Sequence, residues 1–271
     1  MAMCSRRSFI GSAALMLMAT PVARAAQENP AVRLAREVHD RNAGTDLTTL
    51  SRMELTEKGR SPRVRELVTY RLDRGGGETT NLLRFLAPED IAGTGLLSVN
   101  KADGGTDQWL YLPAMDRVRR IAGDRQGGRF VGSDLFYEDL QERKPALDRH
   151  RLLGKETVNG AACDVLESAP IEPTGSVYRR RVSWVDPETA MVMRMDYFEK
   201  DDTTPSKRWL LGARKKVQTY WTVTDSVMTD LASSHQTRMV VEEAKYDRKL
   251  PPRLFTSRTL ADERYEAEFR P

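Results

Sequence analysis

The chain has 271 residues, with 43 basic and 39 acidic side chains and a formal net charge of +4. Three of the basic residues (Arg6, Arg7 and Arg24) and none of the acidic ones lie in residues 1–25. Without that segment 40 basic side chains face 39 acidic ones, a net charge of +1, which excludes the bulk basic surplus that nucleic-acid binding needs.

Residues 1–25 read as an export signal, with no part in the fold. Ser5-Arg6-Arg7-Ser8-Phe9-Ile10 places paired arginines before an apolar stretch, and Ala23-Arg24-Ala25 is a small-x-small cleavage site. The paired arginines point to the twin-arginine route; a general secretory signal that happens to carry them is the alternative. Either route delivers a mature chain beginning near Ala26 to the periplasm. The apolar core is far shorter than the ~20 residues that span a bilayer. Cys4 leaves with the signal, so Cys163 stands alone and no intramolecular disulfide can form; a lone thiol of this kind reads as a small buried apolar side chain.

The remaining 26–271 reads as one large β-domain, with no linker, repeat or low-complexity tract. Asn29 to Arg41 is predicted helical, with Pro30 in its first turn and Gly44 as its stop. From Asp46 onward strands dominate. Leu47 to Leu55 alternates; Arg63 to Leu72 and Thr79 to Leu86 form a hairpin across Gly75-Gly76-Gly77; Ile91 to Asn100 and Gln108 to Leu112 follow. Trp109 to Ile121 reads as alternating strand, with arginines at 117, 119 and 120. A glycine-rich loop, Gly123 to Gly128, leads to Ser133–Gln141, predicted as a short amphipathic helix capped by Ser133. His150 to Ser168 is a hairpin turned by Asn159-Gly160, the favoured two-residue pair. Val177 to Asp186 and Met191 to Lys200 form another. Arg208 to Thr224, Gln236 to Tyr246 and Leu254 to Glu263 read as three further extended segments. About ten antiparallel strands at this spacing point to a sandwich or barrel with one buried face.

Signals for catalysis are weak. Three histidines in the chain (His39, His150 and His235) show no metal-ligand spacing, and no nucleophile elbow, phosphate loop or dinucleotide fingerprint occurs. Neither a metal nor a cofactor is expected. A hydrolase with an unrecognised carboxylate pair stays open as a different class of reading.

The apolar pattern is more informative. Met191, Met193, Met195 and Tyr197 lie at spacing two, which predicts that they share one face of one strand. Tyr178, Val182 and Trp184 line one face of the strand before it. Methionine is unbranched and adaptable, and suits a wall that receives variable apolar guests; an ordinary β-core with methionine as gap filler is the alternative. In 133–141, Phe136, Tyr137 and Leu140 are candidates for a lid over such a wall. Asp134, Glu138 and Asp139 are candidates to latch it onto Arg117, Arg119 or Arg120. A fixed structural cover is the competing reading of the same segment.

The run YLPAMDRVRRIAG…RFVGSDLFYEDL resembles the signature of the LolA-like outer membrane lipoprotein-sorting protein family, in the branch found beside RND/MMPL-type exporters. Phe85-Leu86-Ala87-Pro88, Gly93-Thr94-Gly95-Leu96-Leu97 and the hairpin at Gly154 to Leu166 are similar too, so the resemblance covers roughly residues 30–265. It implies a mainly β fold: a half-open antiparallel β-barrel with an N-terminal helix and a short helical lid, holding acyl chains in an apolar cavity. It implies a non-enzymatic carrier of lipoprotein or lipid acyl chains, with transient membrane contact and an RND/MMPL-type transporter as possible partner. No site residue transfers from the family position by position. An accessory exporter subunit that touches no lipid is the remaining alternative.

Overall fold

A computed structural model of the chain describes Met1 and residues 28–200 and 203–271. The expected export signal lies, Met1 apart, outside the described residues.

The first helix, α1 (Pro30–His39), starts where Asn29 accepts a hydrogen bond from the Ala31 amide, and Pro30 at its first position needs no donor of its own. It buries Ala31, Leu34 and Ala35. Thirteen strands, counted over the described residues, then make one antiparallel sheet. In chain order they are β1 (Asp46–Thr56), β2 (Arg63–Gly75), β3 (Glu78–Ala87), β4 (Gly95–Asn100), β5 (Thr106–Leu112), β6 (Arg117–Arg120), β7 (Asp148–Val158), β8 (Ala161–Pro170), β9 (Arg180–Asp186), β10 (Met191–Phe198), β11 (Lys207–Val217), β12 (Tyr220–Asp230) and β13 (Gln236–Tyr246). The spatial order runs β6-β5-β4-β3-β2-β1-β13-β12-β11-β10-β9-β8-β7. The sheet is therefore an unclosed barrel. Its two edges, β6 and β7, are neighbours in sequence, and the chain between them, 121–147, folds inward instead of pairing them.

That inward segment and α1 cover one face of the sheet, termed the inner face below. Phe130, with Leu135, Tyr137 and Leu140 beside it, packs on Met53, Leu67, Leu83, Phe85 and Leu96. The outer face of the same strands, including Val68, Tyr70, Leu82 and Leu97, is sealed by Leu250, Leu254, Phe255 and Leu260 of the C-terminal segment. Arg84 holds that segment down, donating to both carboxylate oxygens of Glu266 (2.9 and 3.2 Å) and to the carbonyls of Thr259 and Leu260.

Three expected elements take other forms. Residues 133–141 are not a helix. The Ser133 hydroxyl donates to the Phe130 carbonyl and accepts from the Leu135 amide, folding the chain back on itself instead of capping a helix. Two single 3-10 turns, Phe130–Gly132 and Glu138–Leu140, and one bridge between Arg129 and Phe136 result. The segment predicted as one strand over 208–224 is the β11–β12 hairpin, reversed at Gln218, whose φ is +54°. Residues 254–263 are not extended: Thr256 accepts from the Thr259 amide and caps α2 (Ser257–Ala261), followed by α3 (Arg264–Ala267). In addition, β4 begins only at Gly95, because Pro88 to Thr94 closes turns on the Pro88 and Ile91 carbonyls.

Candidate functional site

Period-two alternation and register decide which side chains face inward. Across β8, β9 and β10 the directly paired sets Leu166/Ser183/Met195 and Val185/Val192 share the inner face, as do Ser168, Arg181 and Tyr197. These side chains, with Ala35 and Val38 of α1 and Glu138, Asp139 and Gln141 of the inward segment, line a cavity of about 280 Å³. A second hollow of about 210 Å³ continues from it between Leu135, Met195, Trp209 and Met228. A third, about 260 Å³, lies over Leu83, Leu96 and Ser98 on the β2–β4 side. All three share one wall residue, Asp139.

Asp139 is held from three sides. Its carboxylate accepts from Lys207 Nζ (2.7 Å), the Tyr178 hydroxyl (2.7 Å) and the Phe136 amide (2.7 Å). Lys207 also donates to the Asp134 carbonyl and lies 3.4 Å from the Phe136 ring centroid, a cation–π contact. Burial pushes the Lys207 pKa down against the pull of Asp139. Burial and then the Asp139 charge push the Tyr178 phenol well above its usual range, so it stays a donor. Phe136 stacks on Tyr178 (6.0 Å), and Tyr178 packs on Tyr197 (4.8 Å).

The expected one-face stripe on β10 is broken. Pairing with β9 slips between Val192 and Arg194, a β-bulge that absorbs Met193 as an extra residue. Met191 and Met193 therefore join Val182 and Trp184 in a cluster on the outer face, while Met195 and Tyr197 point inward. Trp184 donates from its indole to Glu156 and carries the Arg194 guanidinium over its ring. Tyr178 precedes β9 and is turned to the inner side, away from Val182 and Trp184. Cys163 is buried in the outer cluster, where burial raises its thiol pKa.

The latch partners also differ from expectation. Arg117 and Arg119 are exposed on the edge strand, and Arg120 pairs with Asp107 of β5. None reaches the acidic residues, because β6 sits at the edge of the sheet while those carboxylates face the strands beyond β1. Asp134 instead meets Arg129 (3.1 Å), His235 Nδ1 (2.6 Å) and the Thr237 hydroxyl (2.8 Å). Glu138 accepts from Ser176 and the Val177 amide (2.7 Å) and lies 3.8 Å from Arg181. Of the lid candidates, Leu140 lines the third hollow, Tyr137 packs edge-on against Phe130, and Phe136 covers Lys207. Sequence reasoning missed Lys207, Ser183 and the covering role of α1. A lysine between Ser206 and Arg208 carries no periodic signal of its burial.

A barrel that fails to close, plugged by its own edge-to-edge connection over a segmented hollow, has close structural relatives. A domain described as an outer membrane lipoprotein-sorting protein from Vibrio parahaemolyticus matches with TM-score 0.80 and 27% identity, over 85% of this chain and 98% of that one. This chain belongs to the LolA-like outer membrane lipoprotein-sorting family. A family model described as an uncharacterized protein matches residues 77–262. A DUF1329 family protein from Desulfovibrio piger matches with TM-score 0.80 and 28% identity over 85% of this chain and 97% of its own. A LolA superfamily protein from Nitrosomonas europaea shares the fold at TM-score 0.66 and 16% identity, covering 84% and 98% of the two chains. The chain matches no curated protein by sequence. Among the described residues no helix is long and apolar enough to cross a membrane. The LolA-like fold is carrier-like in architecture: an unclosed sheet whose inner face is covered by the segment between its two edge strands.

Proposed function

We propose that this LolA-like chain is a periplasmic carrier that shelters acyl chains of lipids or lipoproteins on the inner face of its unclosed barrel. It passes them toward the outer membrane or an RND/MMPL-type exporter in the inner membrane. The observation that carries this reading is the row of three hollows sharing Asp139, walled by Leu83, Leu96, Val192, Met195 and Met228. Each hollow alone falls below the about 300–1,000 Å³ usual for ligand sites, so a long chain enters when the segment around Asp139 shifts and the hollows merge. Each buried methylene then contributes about 0.8 kcal/mol. Phe136, Tyr137 and Leu140 act as the movable cover, and Met195 and Tyr197 as its wall. The outward set Val182, Trp184, Met191 and Met193 serves as core. The expected export signal supports the periplasmic address, and no catalytic step is required.

Native mass spectrometry of protein purified from cell envelopes tests this. Co-purifying acyl lipid is the expected result. Ligand-free protein that takes up no acyl lipid overturns it in favour of an exporter accessory subunit, and turnover of lipid esters overturns it in favour of a hydrolase.

A further inference from the structure

We infer that the cavity beneath α1 receives the uncharged carbonyl group of an acyl ester or amide, met by the Ser183 hydroxyl, and rejects an ionised fatty acid. This rests on the carrier reading above and narrows its cargo.

Ser183 stands mid-strand in β9, on the inner face, with Leu166 opposite it on one side and Met195 on the other. The residue is 6% exposed and lines the cavity. Its hydroxyl has no hydrogen-bond partner among the described residues. That hydroxyl opens onto the cavity, where it can donate to a ligand oxygen placed beside it.

The charged groups of the same wall are already committed to one another. Arg143 donates to Asp148 (2.8 Å) and to the carbonyls of Gly175 and Leu147. Arg181 donates to Asp148 (2.7 Å). Glu138 is satisfied by the Ser176 hydroxyl and the Val177 amide, and Asp139 by the Phe136 amide, the Tyr178 hydroxyl and Lys207. His150 donates from Nε2 to the Pro145 carbonyl (2.8 Å), and its Nδ1 is occupied by the Ser168 hydroxyl (2.9 Å). An incoming carboxylate has to displace Asp148 from its arginines or stay unpaired. Either outcome strands a charge in a largely buried place. A neutral carbonyl asks for one donor, and Ser183 is that donor. The acyl chain then lies along Ala35, Val38, Val185 and Val192.

The test is a binding titration at pH 8 with methyl dodecanoate and with dodecanoate, on the full chain and on Ser183→Ala and Ser183→Thr. The ester is expected to bind at least about 100-fold more tightly than the carboxylate. Ser183→Ala weakens the ester about fivefold without changing the melting temperature, and Ser183→Thr restores affinity. Dodecanoate binding as tightly as the ester overturns the inference and leaves the carrier reading standing. So does ester affinity indifferent to Ser183→Ala. Failure of both ligands to bind removes the carrier reading and this inference with it.

Discussion

Lys207 Nζ lies 2.7 Å from Asp139 Oδ2, and the two side chains are only 2% and 3% exposed. This pair ties the inward segment to β11 at the point where three hollows meet. Removing one partner of a buried pair strands the other and costs about 3–5 kcal/mol. Lys207→Met is expected to lose that much in urea unfolding and to speed entry of a fluorescent acyl ester. Adding Asp139→Asn to Lys207→Met should recover part of the stability, because the stranded carboxylate is gone. Equal stability of the single and double variants would show that the pair is not coupled.

The two faces of β10 separate two roles. Met195→Trp fills the space shared by two hollows and is expected to abolish acyl binding in a fluorescence titration. Met193→Ala, on the outer face, should cost about 2–5 kcal/mol of stability as a core truncation and leave acyl affinity as it was. Loss of binding in Met193→Ala at intact fold would contradict the placement of the bulge.

Asp196 predicts the acid limit of the fold. Burial pushes its carboxyl pKa up, but hydrogen bonds from Arg208 (2.7 and 2.9 Å) and from Arg194 outweigh burial and hold it below the usual range. A carboxylate whose folded pKa is depressed stabilises the fold above its unfolded value, about 3.9, and loses that contribution as pH falls through the folded value. The stability gap between wild type and Asp196→Asn is therefore expected to stay constant from about pH 8 to pH 5 and to shrink below about pH 4. A gap that persists to about pH 2 would remove the linkage.

Arg84 and Glu266 are both sealed, at 1% and 0% exposure. Glu266→Gln keeps the shape and removes the charge, leaving the Arg84 guanidinium buried against neutral partners. A loss of about 3–5 kcal/mol is expected, with faster proteolysis within 257–271. Unaltered protease sensitivity would mean that the apolar contacts of Leu254, Phe255 and Leu260 hold the segment alone.

Local signals carried much of the fold. Asn159 and Gly160, at φ +48° and +81°, turn the β7–β8 hairpin as their residue types require. The Gly75–Gly77 turn and the Pro30 helix start were equally readable. Gln218 was not, because glutamine gives no turn signal and takes a left-handed φ only where the strands on either side impose it. Residues 254–263 misled for a related reason: an apolar run this short fits a strand or a helix, and docking on the outer face decides which.

Hairpins and alternation depend on neighbours a few residues apart, so the residue order alone specifies a meander of antiparallel strands with an aromatic, acidic segment between two of them. Which methionines face the hollow depends on the pairing of whole strands, because one bulged residue inverts every side chain beyond it. Asp134 and Asp139 are likewise met by His235 and Lys207, not by the arginines of β6, since partners about 70 to 100 residues away are chosen by how the sheet curls.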